Sequence, residues 1–126
     1  MKNGLKVSTF YWPGTEASIQ GLRPTYYKTY NDSMPIATKF QTAIEWIDMS
    51  NNQRPSLIMV YIPEIDHEGH KSGPFSKAID ETLKMVDDEI KLFVDGIKTR
   101  KNKVDVELVI VSDHGNVSLN SRNVID

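Results

Sequence analysis

The sequence predicts an α/β fold, part of a parallel sheet with helices on both faces, in a single unit of 126 residues. Two long segments place apolar residues at spacings of three and four, as amphipathic helices do. Two short segments contain uninterrupted apolar runs, Leu57 to Ile62 and Leu108 to Val111, which is typical of buried strands in parallel sheets. Strand and helix segments alternate along the chain, the order expected of a parallel α/β sheet.

The first half of the chain holds one predicted strand and one predicted helix. Residues Lys6 to Trp12 are rich in β-branched and aromatic side chains and predict a strand that ends at Pro13-Gly14. The tyrosine-rich stretch after it has no clean period and is interpreted as a loop. Asp32 and Ser33 can then cap a helix that Pro35 begins. The apolar stripe of this helix consists of Ile36, Phe40, Ile44 and Ile47.

The second half holds two predicted buried strands with a long helix between them. The run Leu57 to Ile62 has the length of a strand and should be covered on both faces. From about Ser76 to Lys98 the apolar spacing gives the clearest helix of the chain. Cations cluster at its end, where they favour the helix dipole, and we interpret them as a solvated helix end rather than a binding patch. They are Lys98, Arg100, Lys101 and Lys103. The run Val106 to Val111 predicts the last strand.

Composition excludes several classes of protein. The net charge of −2 lacks the basic excess of a nucleic-acid binder, so no nucleic-acid polymer is expected as a partner. No apolar run is long enough to span a bilayer, and the polar start is not a signal peptide. Because the chain has no cysteine, any metal must be held by carboxylate and imidazole groups.

Two loops that directly follow the apolar runs contain all three histidines of the chain. Ligands of parallel sheets bind at the carboxyl ends of strands, where these loops should lie side by side. Each loop pairs a carboxylate with an imidazole, which suits Zn²⁺ or a similar divalent ion. We expect a tight turn at Gly69, and we expect His67, whose spacing differs, to be exposed and to bind no metal. The candidate ligands are Asp66, His70, Asp113 and His114.

This pattern of ligands favours a metal-dependent hydrolase that acts on a phosphate ester. Two divalent ions about 4 Å apart can hold the attacking and leaving oxygens in line and offset the developing charge. Taken singly, an Asp or His at a strand end is more often a turn former or a helix cap. Four ligands are also few for two closed sites, and one structural tetrahedral zinc is the alternative.

Together these motifs resemble the nucleotide pyrophosphatase/phosphodiesterase (type I phosphodiesterase) family of the alkaline phosphatase superfamily. The resemblance runs from about Phe10 to Gly115. The motifs that carry it are Tyr11-Trp12-Pro13-Gly14-Thr15-Glu16, Pro24, Tyr27, Tyr30-Asn31, Trp46, Arg54-Pro55, Tyr61, Asp66-x-x-Gly69-His70-x-x-Gly73-Pro74, Val86-Asp87 and Ser112-Asp113-His114-Gly115.

The resemblance implies an alkaline-phosphatase-like sheet and a hydrolase of phosphodiester or pyrophosphate bonds in nucleotide-type small molecules. In the intact family enzyme two Zn²⁺ ions assist a nucleophilic threonine. Asp66 and His70 would bind one zinc, and Asp113 and His114 the other. Tyr30 would stack on the substrate, with Trp12, Glu16 and Tyr61 lining the same pocket; core packing is the alternative role of these aromatic side chains.

The family's nucleophilic threonine and some of its zinc ligands have no counterpart here, so no catalytic residue is assigned. We expect residues 1–126 to be an internal fragment of a catalytic domain, with partial zinc sites, inactive alone and marginally stable or prone to aggregate. The alternatives are a non-catalytic metal-binding remnant or binding module, and another metallohydrolase of the superfamily. The family is usually secretory or membrane-anchored with an extracellular catalytic domain, but the chain itself carries no signal or anchor that would give its location.

Overall fold

A computed structural model of the chain describes residues 4–118 and contains a three-stranded parallel sheet. The strands are β1 (Val7–Phe10), β2 (Tyr26–Lys28) and β3 (Leu57–Val60), in the spatial order β2-β1-β3. In the central strand, Thr9 pairs with Tyr27 on one side and with Met59 on the other. The predicted α/β fold with a parallel sheet is confirmed, and the carboxyl ends of all three strands share one edge.

Three helices accompany the sheet: α1 (Ile36–Ile47), α2 (Glu64–Ser72) and α3 (Lys77–Thr99). The Ser76 side chain caps α3 by accepting a hydrogen bond from the N–H of Ile79 at 3.3 Å. Helix α2 ends at Gly73, whose φ of 85° suits glycine because it has no Cβ. Across residues 4–118, no helix has the length and apolar character needed to cross a bilayer.

The main core lies where α1 and α3 meet the sheet. Phe40 of α1 stacks on Phe93 of α3 with ring centroids 4.6 Å apart, and Ile58 and Val60 of β3 pack against the same cluster. A second cluster joins Phe10, Tyr11 and Trp46 at the end of β1. The apolar stripes predicted for both long helices therefore contribute to the core, although Leu83 of the α3 stripe is exposed.

The predicted cap of α1 is wrong. Helix α1 follows Pro35 and has no side-chain cap hydrogen bond. The Asp32 carboxylate accepts a hydrogen bond from the Tyr30 hydroxyl instead, and the Ser33 hydroxyl donates to Asn31 Oδ1. Both candidate caps are thus used within the preceding loop.

Two elements form where loops were expected. Strand β2 occupies the tyrosine-rich stretch, because pairing with β1 stabilises three residues that carry no alternation of their own. Helix α2 contains the first pair of predicted metal ligands, so Gly69 is a buried helical residue and not a tight turn. Pro63 before α2, and Glu64 and Asp66 in its first turn, are favourable for a helix N-terminus.

The predicted strand from Val106 to Val111 does not form: these residues have no regular secondary structure and are exposed. The expectation that β3 is covered on both faces is also wrong, since Leu57 is 51% exposed. A strand needs a neighbour to satisfy its backbone groups, and β3 stands at an edge of the sheet. Both runs are apolar, which favours burial, but the contacts among residues 4–118 leave Leu57 and the segment Val106 to Val111 exposed.

The cations after α3 do not all face solvent as expected. Arg100 is 8% exposed, and its guanidinium donates to the carbonyl oxygens of Ile97 and Val104 and to Asp48 Oδ1. It therefore ties the end of α3 to the end of α1. Lys98, Lys101 and Lys103 are exposed, as expected.

Candidate functional site

A cavity of about 400 Å³ opens at the carboxyl edge of the sheet. A tyrosine after each strand lines this cavity: Tyr11 after β1, Tyr30 after β2 and Tyr61 after β3. Its volume is in the range of small-molecule sites. The lining residues are Tyr11, Trp12, Pro13, Gly14, Glu16, Tyr30, Tyr61 and His67.

Tyr11 forms the inner wall of the cavity and has an unusual backbone conformation. Its φ of 59° is uncommon for a residue other than glycine and directs the chain away from β1. The ring is buried, and Lys39 Nζ lies 5.6 Å from its centroid. Lys39 is 2% exposed and forms an ion pair with Glu64 Oε1 at 2.6 Å, which joins α1 to the first residue of α2.

The loop after Tyr11 is held by a short chain of hydrogen bonds. The Thr15 hydroxyl donates to the carbonyl of Trp12 at 2.7 Å and accepts from the Thr9 hydroxyl at 3.2 Å. Gly14, at a φ of 80°, allows the turn between them. This geometry brings Trp12 and Glu16 to the cavity.

Tyr30 is fixed at three points although it lies in a loop and is partly exposed. Glu16 Oε1 accepts a hydrogen bond from its backbone N–H. Its ring packs edge-on against Tyr11 with centroids 5.4 Å apart. Its hydroxyl donates to Asp32 Oδ1 at 2.8 Å. This hydrogen bond is the main reason why the pKa of Tyr30 is raised to about 12, with burial and the Asp32 charge adding to it.

The four predicted metal ligands lie in one cluster beside the cavity. His70 Nε2 is 3.4 Å and His114 Nε2 is 3.9 Å from Asp66 Oδ1, and His114 Nε2 is 3.6 Å from Asp113 Oδ2. Asp66 Oδ1 is buried and has no hydrogen-bond partner among the described residues. Within residues 4–118, however, no three His, Asp, Glu or Cys side chains are arranged to hold a metal ion.

A close contact between α2 and the loop of residues 113–116 brings the two pairs together. A Cβ placed on Gly69 would lie 2.6 Å from Asn116 Nδ2 and 3.4 Å from its Cγ. Because Gly69 lacks that atom, the Asn116 side chain can rest against the helix. Gly69 is thus the residue of α2 against which the loop that carries His114 packs.

Tyr61 connects the cavity with this cluster. Burial raises the pKa of its hydroxyl, and the negative charges of Asp113, Asp66 and Glu64 raise it further. The cavity and the carboxylates are therefore close enough to share one electrostatic environment.

The predicted pocket residues lie together, and the predicted metal ligands lie together beside them. Trp12, Glu16, Tyr30 and Tyr61 all line one cavity, and the roles assigned to them remain predictions. Sequence reasoning missed Tyr11, whose place depends on a positive φ. His67 is exposed, as expected, but it also lines the cavity and lies 3.3 Å from Asp32 Oδ1.

The chain matches the model of the family described as type I phosphodiesterase / nucleotide pyrophosphatase, and the match covers residues 1–126. The chain belongs to this family. It is 36% identical over 115 residues to ectonucleotide pyrophosphatase/phosphodiesterase family member 3 of Rattus norvegicus, and 39% identical over 112 residues to the venom phosphodiesterase of Macrovipera lebetinus. These matches cover 91% and 89% of the chain. The chain spans 13% of the length of each of these phosphodiesterases.

Solved structures of the type I phosphodiesterase family share the fold. An inactive variant of murine ectonucleotide pyrophosphatase/phosphodiesterase 5, in complex with AMP, superposes with a TM-score of 0.71 at 28% identity. The human form of the same protein gives 0.71 at 26% identity. Both matches cover 77% of this chain and 25% of the other.

Proposed function

We propose that the complete enzyme to which residues 1–126 contribute hydrolyses phosphodiester or pyrophosphate bonds of nucleotide-type small molecules in a metal-dependent reaction. The observation that carries this proposal is the position of the aromatic cavity directly beside the carboxylate–imidazole cluster, at the carboxyl edge of a parallel sheet. Family membership supports the reaction class, and the AMP bound by the murine relative supports the substrate class.

We propose Zn²⁺ as the metal, with two ions in the complete enzyme. Asp66 and His70 would hold one and Asp113 and His114 the other. The donor set fits zinc in chemical type, and the unpartnered Asp66 Oδ1 has a free acceptor site. When bound, zinc polarises a phosphoryl oxygen and stabilises negative charge as it develops.

The residues of the cavity bind and orient the substrate. The Tyr30 ring offers an aromatic face for a base, and Glu16 fixes the Tyr30 backbone. Trp12 and Tyr61 enclose the ligand, and Tyr61 lies on the side of the carboxylate cluster. A nucleotide held in this way would direct its phosphate toward Asp66 and His114.

Binding of AMP by the 126-residue chain tests the substrate assignment. We expect calorimetry to show binding that Tyr30→Ala abolishes and that Tyr30→Phe weakens only about fivefold, because phenylalanine keeps the ring and loses one hydrogen bond. Tyr27→Ala is the matched control, because Tyr27 is a similarly exposed tyrosine that does not line the cavity. Equal loss in the Tyr27 and Tyr30 variants would refute the assignment.

Zinc dependence tests the metal assignment. Zinc should strengthen the binding of AMP but not of adenosine, which has no phosphate. Asp66→Ala and Asp113→Ala should each lower bound zinc in metal analysis, whereas Asp88→Ala, which removes an exposed ion pair of α3, should not. If neither site variant lowers bound zinc, the ligand assignment is wrong.

We further propose that residues 1–126 bind a nucleotide without turning it over, because the nucleophilic threonine that the family resemblance implies has no counterpart among them. A nitrophenyl phosphodiester should remain intact in the presence of the chain and zinc. Turnover that a chelator abolishes would contradict this part of the proposal.

A further inference from the structure

Asp32 connects the wall of the cavity with helix α2. One oxygen, Asp32 Oδ1, accepts the hydrogen bond of the Tyr30 hydroxyl at 2.8 Å and lies 3.3 Å from His67 Nδ1. Asp32 belongs to the loop between β2 and α1, whereas His67 belongs to α2. The contact therefore joins two parts of the chain that are 35 residues apart.

Helix geometry explains why His67 lines the cavity whereas its neighbour Asp66 belongs to the metal cluster. Asp66 and His70 are four residues apart and share one side of α2, where Asp66 lies near His114. His67 is rotated from Asp66 by about 100° around the helix axis. Consecutive residues of α2 thus contribute to the metal cluster and to the cavity.

Tyr30 needs such support because it belongs to no helix or strand and its side chain is partly exposed. Its hydroxyl is the outermost of its three anchors. The hydroxyl donates to Asp32, and this hydrogen bond is the main reason why the pKa of Tyr30 is raised to about 12. An Asp32 side chain that could rotate freely would leave this donor without a fixed acceptor.

We propose that His67 is a positioning residue of the nucleotide cavity: its Nδ1 fixes Asp32, and Asp32 in turn fixes the Tyr30 ring. This inference rests on the proposed function, in which Tyr30 stacks on the base of the ligand. It assigns to His67 an effect on base binding that needs no contact between the imidazole and the ligand.

Two substitutions of His67 separate positioning from direct contact. An asparagine amide nitrogen can take the place of Nδ1, and a glutamine amide nitrogen that of Nε2. His67→Ala should weaken adenosine binding by up to about fivefold, the upper end of what an exposed pair of polar or charged side chains contributes. His67→Asn should restore wild-type affinity and His67→Gln should not. Alanine is the stronger helix former, so unwinding of α2 would not explain the loss in His67→Ala.

The double variant Tyr30→Phe/His67→Ala completes the test. Without the Tyr30 hydroxyl, the loss of His67 should cause no further loss of adenosine affinity, because both act through the same oxygen of Asp32. An NMR readout on the chain without ligand is independent of binding: His67→Ala and Asp32→Asn should shift the Tyr30 ring signals alike, and His67→Asn should leave them unchanged.

The outcomes distinguish this inference from the proposed function. A wild-type chain that binds no adenosine or AMP would refute the proposed function, while the ring signals would still decide whether His67 positions Tyr30. Normal binding and unshifted ring signals in His67→Ala would refute the inference alone. Rescue by glutamine and not by asparagine would also refute it, because His67 would then contact the ligand directly through Nε2.

Discussion

At the scale of single residues, the candidate site depends on a glycine that leaves space as well as on the side chains that line the cavity. Gly69 has no Cβ, and Asn116 occupies the space that a Cβ would need. Tyr11 has a positive φ that a glycine would adopt more easily, yet its buried ring forms the inner wall of the cavity. In both cases a residue that is unfavourable in its local backbone conformation allows contact between segments that are far apart in the chain.

Gly69→Ala should separate the two halves of the metal cluster. The added methyl group would displace the Asn116 side chain, and with it the loop that carries His114, so zinc affinity should fall at least about tenfold, as when a group that orients a metal ligand is disturbed. Gly115→Ala is the matched control, since a Cβ there meets nothing within 4 Å. Metal titration would measure both variants.

Rescue by a second substitution shows whether the contact itself is responsible. Gly69→Ala/Asn116→Ala removes the atoms that clash and should recover most of the lost zinc affinity. Equal zinc affinity of the Gly69→Ala and wild-type chains would contradict the role of this contact.

At the scale of elements, periodicity predicts the helices that build the core but not the elements that depend on tertiary contacts. Helices α1 and α3 repeat apolar residues over several turns. In α2 only Ile65 packs against the core, and Gly69 disfavours a helix, so the stretch lacks the apolar period that predicts α1 and α3. Strand β2 has three residues and depends on β1 for its hydrogen bonds.

The candidate site likewise combines features that the sequence predicts with features that depend on tertiary contacts. The grouping of Asp66, His70, Asp113 and His114 follows from their places after apolar runs, although only the first of these runs forms a strand. Residue roles in the cavity came from resemblance to a family, because the spacing of Trp12 and Tyr30 contains no period. The contact of His67 with Asp32 could not be predicted, since it depends on how the loop before α1 folds against α2.

The pairing of α1 with α3 should contribute most of the stability that the two helices add. Phe93 is buried and stacks on Phe40, whereas its neighbour Leu92 is 63% exposed. We expect Phe93→Ala to lower the free energy of unfolding by about 3 kcal/mol. Leu92→Ala, on the same helix, should change it by less than about 0.5 kcal/mol. Urea unfolding followed by circular dichroism measures both, and similar effects of the two substitutions would show that α3 packs in another way.

At the scale of the whole molecule, one segment of the described residues stands out because several consecutive apolar side chains in it are exposed. Val109, Ile110 and Val111 are consecutive and largely exposed. They form a short apolar run without charge, and β3 stands at an edge of the sheet whose backbone groups can pair with another chain. The two features together favour association between copies of the chain.

A single charge in this segment should therefore suppress association. We expect the wild-type chain to form oligomers or aggregates at micromolar concentrations, and Val109→Lys to reduce them without lowering the free energy of unfolding, because the valine side chain has few contacts to lose. Val117→Lys adds the same charge at an equally exposed valine outside the run and is the matched control. Light scattering during size-exclusion chromatography measures the effect. If both variants suppress association equally, the added charge acts wherever it stands and the apolar segment does not control association. If the wild-type chain is monomeric, its exposed segment does not drive association at all.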